Sequence, residues 1–201
     1  MKAHIILASA ATLALAACGG SESTTANEAV ADNAVLDTAD NMVDDNMVGG
    51  NMMAPPAATA ANGQEYATMA AAGDLYEIES SRLALEKAQN AQVKELAQMI
   101  ITDHEKSTAD LKTAAGEAQP AITVTPALNA EQQANMEALR AASAADFDRL
   151  YISQQIPAHE KTLALVQDYA GKGEVVSLKA HAATVTAPVQ RHLERLRTMQ
   201  Q

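Results

Sequence analysis

Apolar residues recur at steps of three and four from about residue 62 onward, which is the spacing of one face of an α-helix. The clearest stripe lies within residues 143–170 and comprises Ile152, Ile156, His159, Leu163 and Val166. One imidazole therefore takes a place that the pattern assigns to a core residue. A polar interruption of this kind predicts a buried group with a structural or a chemical role.

Capping residues and helix breakers divide this pattern into elements. Helix starts are predicted at three capping pairs: Asn62 with Glu65, Asn129 with Gln132, and Ser143 with Asp146. A second helix follows a tight turn at Asn90, and a fifth begins at residue 174, after two glycines. The predicted helices end near Lys87, Gly116, Ala142, Ala170 and Met199. Residues 119–128 hold two prolines and a β-branched run, so they predict an extended crossover.

These elements predict an all-α fold, with four long helices and one extra short helix in the crossover. The first two helices form one antiparallel hairpin and the last two form another, which together make an antiparallel four-helix bundle. The chain has 1 Phe and no Trp, and alanine is common on every predicted helix, so we expect close packing through small side chains. Pro157 and Pro188 fall inside the fourth and fifth helices and predict a kink in each.

Residues 1–17 predict a secretion signal. Lys2 precedes an apolar run at residues 5–17, which is too short to span a membrane. The sequence LAAC at residues 15–18 resembles the lipobox of bacterial lipoproteins, and this resemblance implies cleavage before Cys18 and lipid attachment to its sulfur. Gly19 resembles the residue that follows in lipoproteins sent to the outer membrane. We therefore expect a protein that is lipid-anchored in the bacterial cell envelope, at the outer membrane and facing the periplasm. An uncleaved signal anchor with a free thiol is the alternative.

Residues 18–61 predict an acidic, low-complexity, disordered tether that starts at the lipidated Cys18. The formal charge of −11 divides into +1 from Lys2, −7 from residues 19–64 and therefore −5 from the remainder. No basic patch is present, which argues against a nucleic-acid partner. The tether holds several methionines, a residue type that suits Cu(I): Met42, Met47, Met52 and Met53. Low-complexity drift is the simpler explanation, because no histidine or other cysteine accompanies them.

Three polar residues are predicted at one depth in the bundle. Glu77 lies 13 residues and His104 14 residues from the turn at Asn90, and His159 lies 13 residues from Lys172 at the second turn. At the rise of an α-helix each is about 20 Å from its turn. The comparison takes both turns to lie at the same end of the bundle. It predicts that Glu77, His104 and His159 meet inside the molecule.

Two interpretations of this layer remain open. One carboxylate and two imidazoles could bind a divalent transition metal, with water completing the coordination. Alternatively, Glu77 accepts hydrogen bonds from both rings in a buried network that sets the register of the helices. The same count predicts a second polar layer, formed by Asp148, Tyr151 and His192 with Tyr66, for which a structural role is favoured.

The ligand pattern of di-iron carboxylate bundles does not occur in the sequence. Those proteins place Glu-x-x-His on two helices. The residues three positions before His104, His159, His181 and His192 are Ile101, Ile156, Leu178 and Val189. Ferroxidase or oxygenase activity of the usual kind is therefore not expected. The sequence also contains no Gly-rich phosphate loop.

A set of short motifs over residues 64–199 carries a resemblance to a known family. The motifs are Glu77-Ile78-Glu79, Leu83-Ala84, Val93-Lys94, Met99, Asp103-His104, Phe147-Asp148-x-x-Tyr151, His159 and Pro188-x-x-x-His192-Leu193. In order and spacing they resemble the ferritin-like bundles named domain of unknown function 4142. The resemblance implies a secreted or envelope-bound ferritin-like bundle for which no reaction is established.

The sequence therefore predicts a signal peptide at residues 1–17, a tether at residues 18–61 and a ferritin-like bundle at residues 62–201. The first functional hypothesis is a non-enzymatic envelope lipoprotein whose bundle is a binding or structural module. The second is a metal-binding or redox-protective protein that uses Glu77, His104 and His159. A third hypothesis, an enzyme that uses these histidines as acid and base, has less support. The membrane is the one partner that the sequence indicates.

Overall fold

The computed structural model describes residues 62–201, and this part of the chain is helical. Its helices are α1 (Gly63–Lys87), α2 (Ala91–Gly116), α3 (Ala130–Ala141), α4 (Ala144–Lys172) and α5 (Val176–Gln200). None of the described helices is both long and apolar enough to cross a membrane. The predicted signal peptide, the predicted lipidation of Cys18 and the predicted tether lie outside the described residues, so they stay predictions.

The predicted helix starts are confirmed by their caps. The side chain of Asn62 accepts a hydrogen bond from the backbone N–H of Glu65 at 2.9 Å, as an N-cap does. Asn129 and Gln132 form a reciprocal capping box, and Ser143 accepts from the N–H of Asp146. Because these short polar side chains satisfy N–H groups that have no partner inside the helix, they set the first residue of each helix.

The four long helices form a bundle in which α1 and α2 make one hairpin and α4 and α5 make another. Asp148, near the start of α4, accepts the backbone N–H of Asn90 at 2.8 Å, so α4 begins beside the α1–α2 turn. Tyr66, near the start of α1, stacks on Tyr169 near the end of α4 with 4.1 Å between ring centroids. Helix α4 is therefore antiparallel to α1 and parallel to α2, and the two turns lie at opposite ends. The assumption that they share one end is wrong.

The crossover and α3 return the chain to the end at which α4 must begin. Lys87 fastens α3 there, because its Nζ donates to the carbonyl oxygens of Leu139, Arg140 and Ala142 at 3.1, 2.7 and 2.9 Å. These carbonyls lie at the C-terminal end of α3, where a positive charge is favourable.

Alanine lines much of the core, as predicted, and the few aromatic residues fill its widest parts. All four tyrosines and the single phenylalanine of the chain are buried. Tyr66 and Tyr169 belong to the cluster near the α4–α5 turn, whereas Tyr76, Phe147 and Tyr151 belong to a second cluster. Both helices that contain an internal proline continue through it. The polar residues described next lie in the middle of the bundle, between its two ends.

Candidate metal centre

Three buried imidazole rings meet at the centre of the bundle. His104 lies on α2, His159 on α4 and His192 on α5, and each exposes 2% of its surface or less. The ring centroids are 5.9 Å apart for His104 and His159, 5.7 Å for His104 and His192, and 5.4 Å for His159 and His192. One ring nitrogen of each residue lies within 4.8 Å of the corresponding nitrogens of the other two. We call these three residues the histidine cluster.

The outward nitrogen of each ring contacts an oxygen atom. These contacts join His104 Nδ1 to Asp74 Oδ1 at 2.8 Å, His159 Nδ1 to the carbonyl of Gln155 at 3.0 Å, and His192 Nε2 to Asp103 Oδ2 at 3.0 Å. Carbonyl and carboxylate oxygens only accept hydrogen bonds, so the outward nitrogens are the donors and carry the protons. The inward nitrogen of each neutral ring is then left with a lone pair.

Three lone pairs consequently face one another in the cluster. His159 Nε2 and His192 Nδ1 are 3.4 Å apart, and with the protons on the outward nitrogens neither atom can donate to the other. His104 Nε2 is buried and has no hydrogen-bond partner among the described residues. Such an arrangement is electrostatically unfavourable unless a proton or a cation lies between the nitrogens.

The spacing of these nitrogens fits a transition metal ion. Histidine nitrogens bind such ions at about 2.0–2.1 Å, which places the nitrogens of one site about 3.3–3.6 Å apart. The 3.4 Å between His159 Nε2 and His192 Nδ1 already has this value. The inward nitrogen of His104 lies within 4.8 Å of the other two, so it would have to approach them by about 1.5 Å at most to complete the set. The donor set itself, neutral imidazole, suits copper, zinc, nickel and iron.

Carboxylates support two of the three rings from behind. Asp74 is itself held by Thr108, whose Oγ1 donates to Asp74 Oδ2 at 3.1 Å. Asp103 also lies 3.5 Å from the Arg191 guanidinium. A carboxylate behind a histidine fixes its tautomer and ring orientation, and this is the usual environment of histidines that bind metals.

The electrostatic environment keeps two of the three rings neutral. Burial, followed by the positive charges of His104 and His192, lowers the pKa of His159 well below its ordinary value. Burial and then the charge of His104 lower the pKa of His192 to about 4, although Asp103 opposes the shift. Burial also lowers the pKa of His104, but the hydrogen bond and charge of Asp74 outweigh it, and the net shift is upward. A proton taken up by the cluster therefore resides on His104.

The structure brings the predicted Glu77, His104 and His159 close together, but Glu77 lies outside the histidine cluster. Its Oε1 is 3.7 Å from Nδ1 of His159, the outward nitrogen that donates to Gln155. His192 instead provides the third inward nitrogen. Glu77 Oε2 and Gln155 Oε1 are buried without a hydrogen-bond partner among the described residues.

The predicted second polar layer is wrong. Asp148 accepts backbone N–H groups at the α1–α2 turn, and the hydroxyl of Tyr151 lies 2.7 Å from Ser81 Oγ on α1. Tyr66 is near the other end, where its hydroxyl lies 2.7 Å from His181 Nδ1. These residues lie apart because α2 and α4 run parallel, which places the turn of the second hairpin at the opposite end of the bundle from the turn of the first. Residues at mid-height, such as His104 and His159, are unaffected by that reversal.

Sequence reasoning missed Asp74 and misplaced His192. Asp74 precedes Glu77 by three residues and Ser81 by seven, so its place on the same buried face of α1 was a usable pattern. The height of His192 was counted from Lys172 as if the chain were helical throughout. Helix α5 begins only at Val176, so the turn takes up residues 173–175. His192 is consequently closer in height to His159 than the count suggested.

A small cavity reaches the histidine cluster from the groove between α2 and α5. It has a volume of about 90 Å³, and Asp103, His104, Ser107 and Pro188 contribute to its walls. Asp103 is part of this wall and is also the residue that holds His192. Its side chain is 27% exposed, so solvent reaches the carboxylate that lies behind His192.

Burial, partly offset by the charge of His104, raises the pKa of Glu77 from 4.5 to about 8. Its proton is therefore retained in the folded protein but lost from the unfolded chain between these two pH values, so stability falls as pH rises from 4.5 to about 8. Glu77→Gln removes this titration. We expect the metal-free variant to lose less free energy of unfolding than the wild type over that range, as measured by urea unfolding at several pH values. A constant difference between the two proteins across the range would contradict the raised pKa.

The family described as Domain of unknown function (DUF4142) matches residues 50–199 of the chain. Two solved structures have a similar fold. "CopM in the Cu(I)-bound form" is 21% identical, has a TM-score of 0.57, and aligns over 69% of this chain and 94% of that one. "CopM in the Cu(II)-bound form" is 20% identical, has a TM-score of 0.59, and aligns over 69% and 95%. No curated protein matches the sequence.

Proposed function

This chain belongs to the family described as domain of unknown function 4142, whose description names no reaction, and we propose from the site itself that the protein binds a copper ion inside its bundle. The ligands are one ring nitrogen each from His104, His159 and His192. The observation that carries the proposal is the convergence of three inward ring nitrogens, each on a ring whose other nitrogen is held by an oxygen acceptor.

The choice of copper rests on the ligand chemistry together with the related structures. Among divalent first-row ions, nitrogen ligands bind Cu²⁺ most tightly. The two solved structures of similar fold are of CopM with Cu(I) and with Cu(II). The histidine cluster contains no carboxylate, but Asp74 and Asp103 lie directly behind two of its rings. Their negative charges offset part of the cost of placing a cation in the interior.

The proposed role is non-enzymatic binding that withholds the ion from solvent. The three rings are almost fully buried among the described residues, and the small cavity beside Asp103 reaches them. A copper ion in this position is shielded from chelators and reductants too large for that cavity, so the protein acts as a protective carrier or store. We further propose that lipidation of Cys18 holds this bundle at the outer membrane in the periplasm, as the lipobox and the following Gly19 favour.

Metal titration tests the proposal directly. We expect the full chain, purified without chelator, to bind one equivalent of copper, with Cu(I) measured anaerobically against a competing chromophoric chelator and Cu(II) measured in air. Zn(II) should bind more weakly, in keeping with the order of affinities of nitrogen ligands. If neither Cu(I), Cu(II) nor Zn(II) binds in a fixed ratio, the proposal is contradicted and the histidine cluster is a structural network.

A further inference from the structure

A second and larger cavity lies between α1, α4 and the segment that leads into α3. Its volume is about 270 Å³, and none of the histidines of the cluster contributes to its wall. Helix α3 spans this space without filling it. Gln132 Nε2 on α3 donates to the carbonyl of Ala72 on α1 at 3.2 Å, and Glu131 on α3 pairs with Lys161 on α4 at 2.6 Å. The cavity is therefore held open on both sides by contacts of α3.

The wall of this cavity is largely apolar and carries no net charge. Its apolar members include Met69, Ala72, Pro157, Ala158 and Leu165. Its charged residues Lys161 and Glu131 pair with each other, and Glu77 keeps its proton at neutral pH because burial raises its pKa to about 8. Tyr76 donates its hydroxyl hydrogen to Gln154 Oε1 at 3.2 Å. An occupant of this space is therefore selected for apolar surface and not for charge.

The segment that precedes α1 has a composition that suits this wall. Residues 46–64 contain no charged residue, whereas all the acidic residues of the predicted tether lie between Glu22 and Asp45. Met52 and Met53 have the only long apolar side chains between residues 49 and 65. The family match begins at residue 50, although α1 begins only at Gly63. The uncharged segment therefore belongs to the matched domain and differs in character from the acidic residues before it.

The cavity is within reach of this segment. Met53 precedes Asn62, the N-cap of α1, by nine residues, which can span up to about 30 Å when extended. Gly73, on the cavity wall, follows Asn62 by eleven residues, which is about 16 Å along the helix. The segment can therefore turn back along α1 with length to spare. Because the connection is short, the effective concentration is in the millimolar range and a weak contact suffices.

We propose that the cavity between α1, α3 and α4 is the docking site of residues 51–56 of the same chain, and that the side chains of Met52 and Met53 fill it. Together these side chains have about eight non-hydrogen atoms, and the cavity has the volume of about nine water molecules. Methionine is unbranched and adapts to irregular gaps. Its thioether has no N–H or O–H group, so the polar groups of the wall keep their own partners. The predicted spacer between Cys18 and the bundle is then shorter by these residues.

Oxidation of methionine by dilute hydrogen peroxide tests the docking, because a thioether shielded by protein reacts slowly. The experiment uses the full chain with a metal chelator present, so its outcome does not depend on the copper proposal. Mass spectrometry gives the rate at each methionine. We expect Met52 and Met53 to react about tenfold more slowly than Met42 and Met47, which corresponds to a docked fraction of about nine-tenths. The four rates should become equal when urea unfolds the protein. Equal rates in the folded protein would overturn the proposal.

A variant that fills the cavity locates the docking site. An added Cβ at Gly73 would lie 3.6 Å from Thr162 Oγ1, which is an ordinary contact, so Gly73→Leu occupies the cavity without a backbone clash. Met52 and Met53 should then be oxidised as fast as Met42 and Met47. The control is Gly116→Ala at the end of α2, where an added Cβ meets no other atom within 4 Å, and it should keep the protection. Protection that persists in Gly73→Leu would overturn the assignment to this cavity.

Two matched double variants test the burial by a second measurement. Met52→Ser with Met53→Ser should lower the urea midpoint of unfolding, because buried apolar surface is lost. Met42→Ser with Met47→Ser removes the same side chains from the acidic part of the predicted tether and should leave the midpoint unchanged. Equal midpoints in the two variants would contradict the docking. Protection from oxidation that rises with protein concentration would show that a second copy supplies the segment, and would overturn docking within one chain.

Discussion

Replacing both His104 and His159 by alanine is expected to abolish stoichiometric copper binding. Two of the three inward nitrogens disappear, and the remaining His192 cannot retain a buried ion alone. Loss of a single supporting group behind a metal ligand typically weakens binding 10- to 100-fold, so loss of two ligands should exceed about 100-fold. Competition with a chromophoric chelator gives the affinity, and elemental analysis after desalting gives the stoichiometry.

The matched control for this experiment is His181→Ala. His181 is buried on α5, like His192, and its Nδ1 lies 2.7 Å from the Tyr66 hydroxyl, but it lies outside the histidine cluster. Its removal breaks a buried hydrogen bond and should lower the free energy of unfolding by about 1–3 kcal/mol. Copper binding should nevertheless stay at one equivalent. Equal loss of copper in both variants, or its retention in the double variant, would refute the assignment of the ligands.

Replacement of Asp74 by alanine is expected to weaken copper binding by about 10- to 100-fold without removing a ligand. Asp74 Oδ1 accepts from His104 Nδ1 at 2.8 Å and thereby directs Nε2 into the cluster. Without it, the ring can rotate or take the other tautomer, and His104 becomes a poorer ligand. The affinity for Cu(I), compared at one pH with that of the wild type, measures the effect.

Two further variants separate orientation from charge. In Asp74→Asn the amide oxygen can still accept from His104 Nδ1, so affinity should recover part of the loss seen with alanine. Glu105 is an exposed carboxylate on α2 that pairs with Arg82, and Glu105→Ala should bind copper as the wild type does. If Asp74→Ala binds copper with unchanged affinity, the carboxylate does not position His104 for a metal.

The unsatisfied polar atoms of the described residues are concentrated at the middle of the bundle. His104 Nε2, Glu77 Oε2 and Gln155 Oε1 are three of the four side-chain atoms without a partner, and the fourth is the hydroxyl of Tyr169. Folded proteins rarely leave such atoms unpaired, because each costs about 1–3 kcal/mol. A purely structural network would be expected to satisfy its own members. A protonated Glu77 can pair with the side chain of Gln155, so His104 Nε2 is the atom of this group that favours a partner from outside the chain.

The resemblance to the family, which its short motifs carried, is confirmed by the match over residues 50–199. The helical architecture was also predictable, because it depends on local chemistry. Caps such as Asn62 and Asn129 act within three residues of themselves, and the observed helix bounds agree with the predicted ones to within about two residues. The apolar stripes likewise identified the buried faces that hold Glu77, His104 and His159.

What the sequence determined by itself was therefore the identity of the helices and the face of each that points inward, since both follow from interactions between residues a few positions apart. Only the tertiary structure decided which polar residues meet. The crossover places α4 parallel to α2, which sends Asp148 and Tyr66 to opposite ends, and the turn before α5 brings His192 beside His159. Side-chain rotation then turns Asp74 and Asp103 to the backs of the rings. These outcomes depend on how distant segments are joined and packed, so no periodicity within one helix contains them.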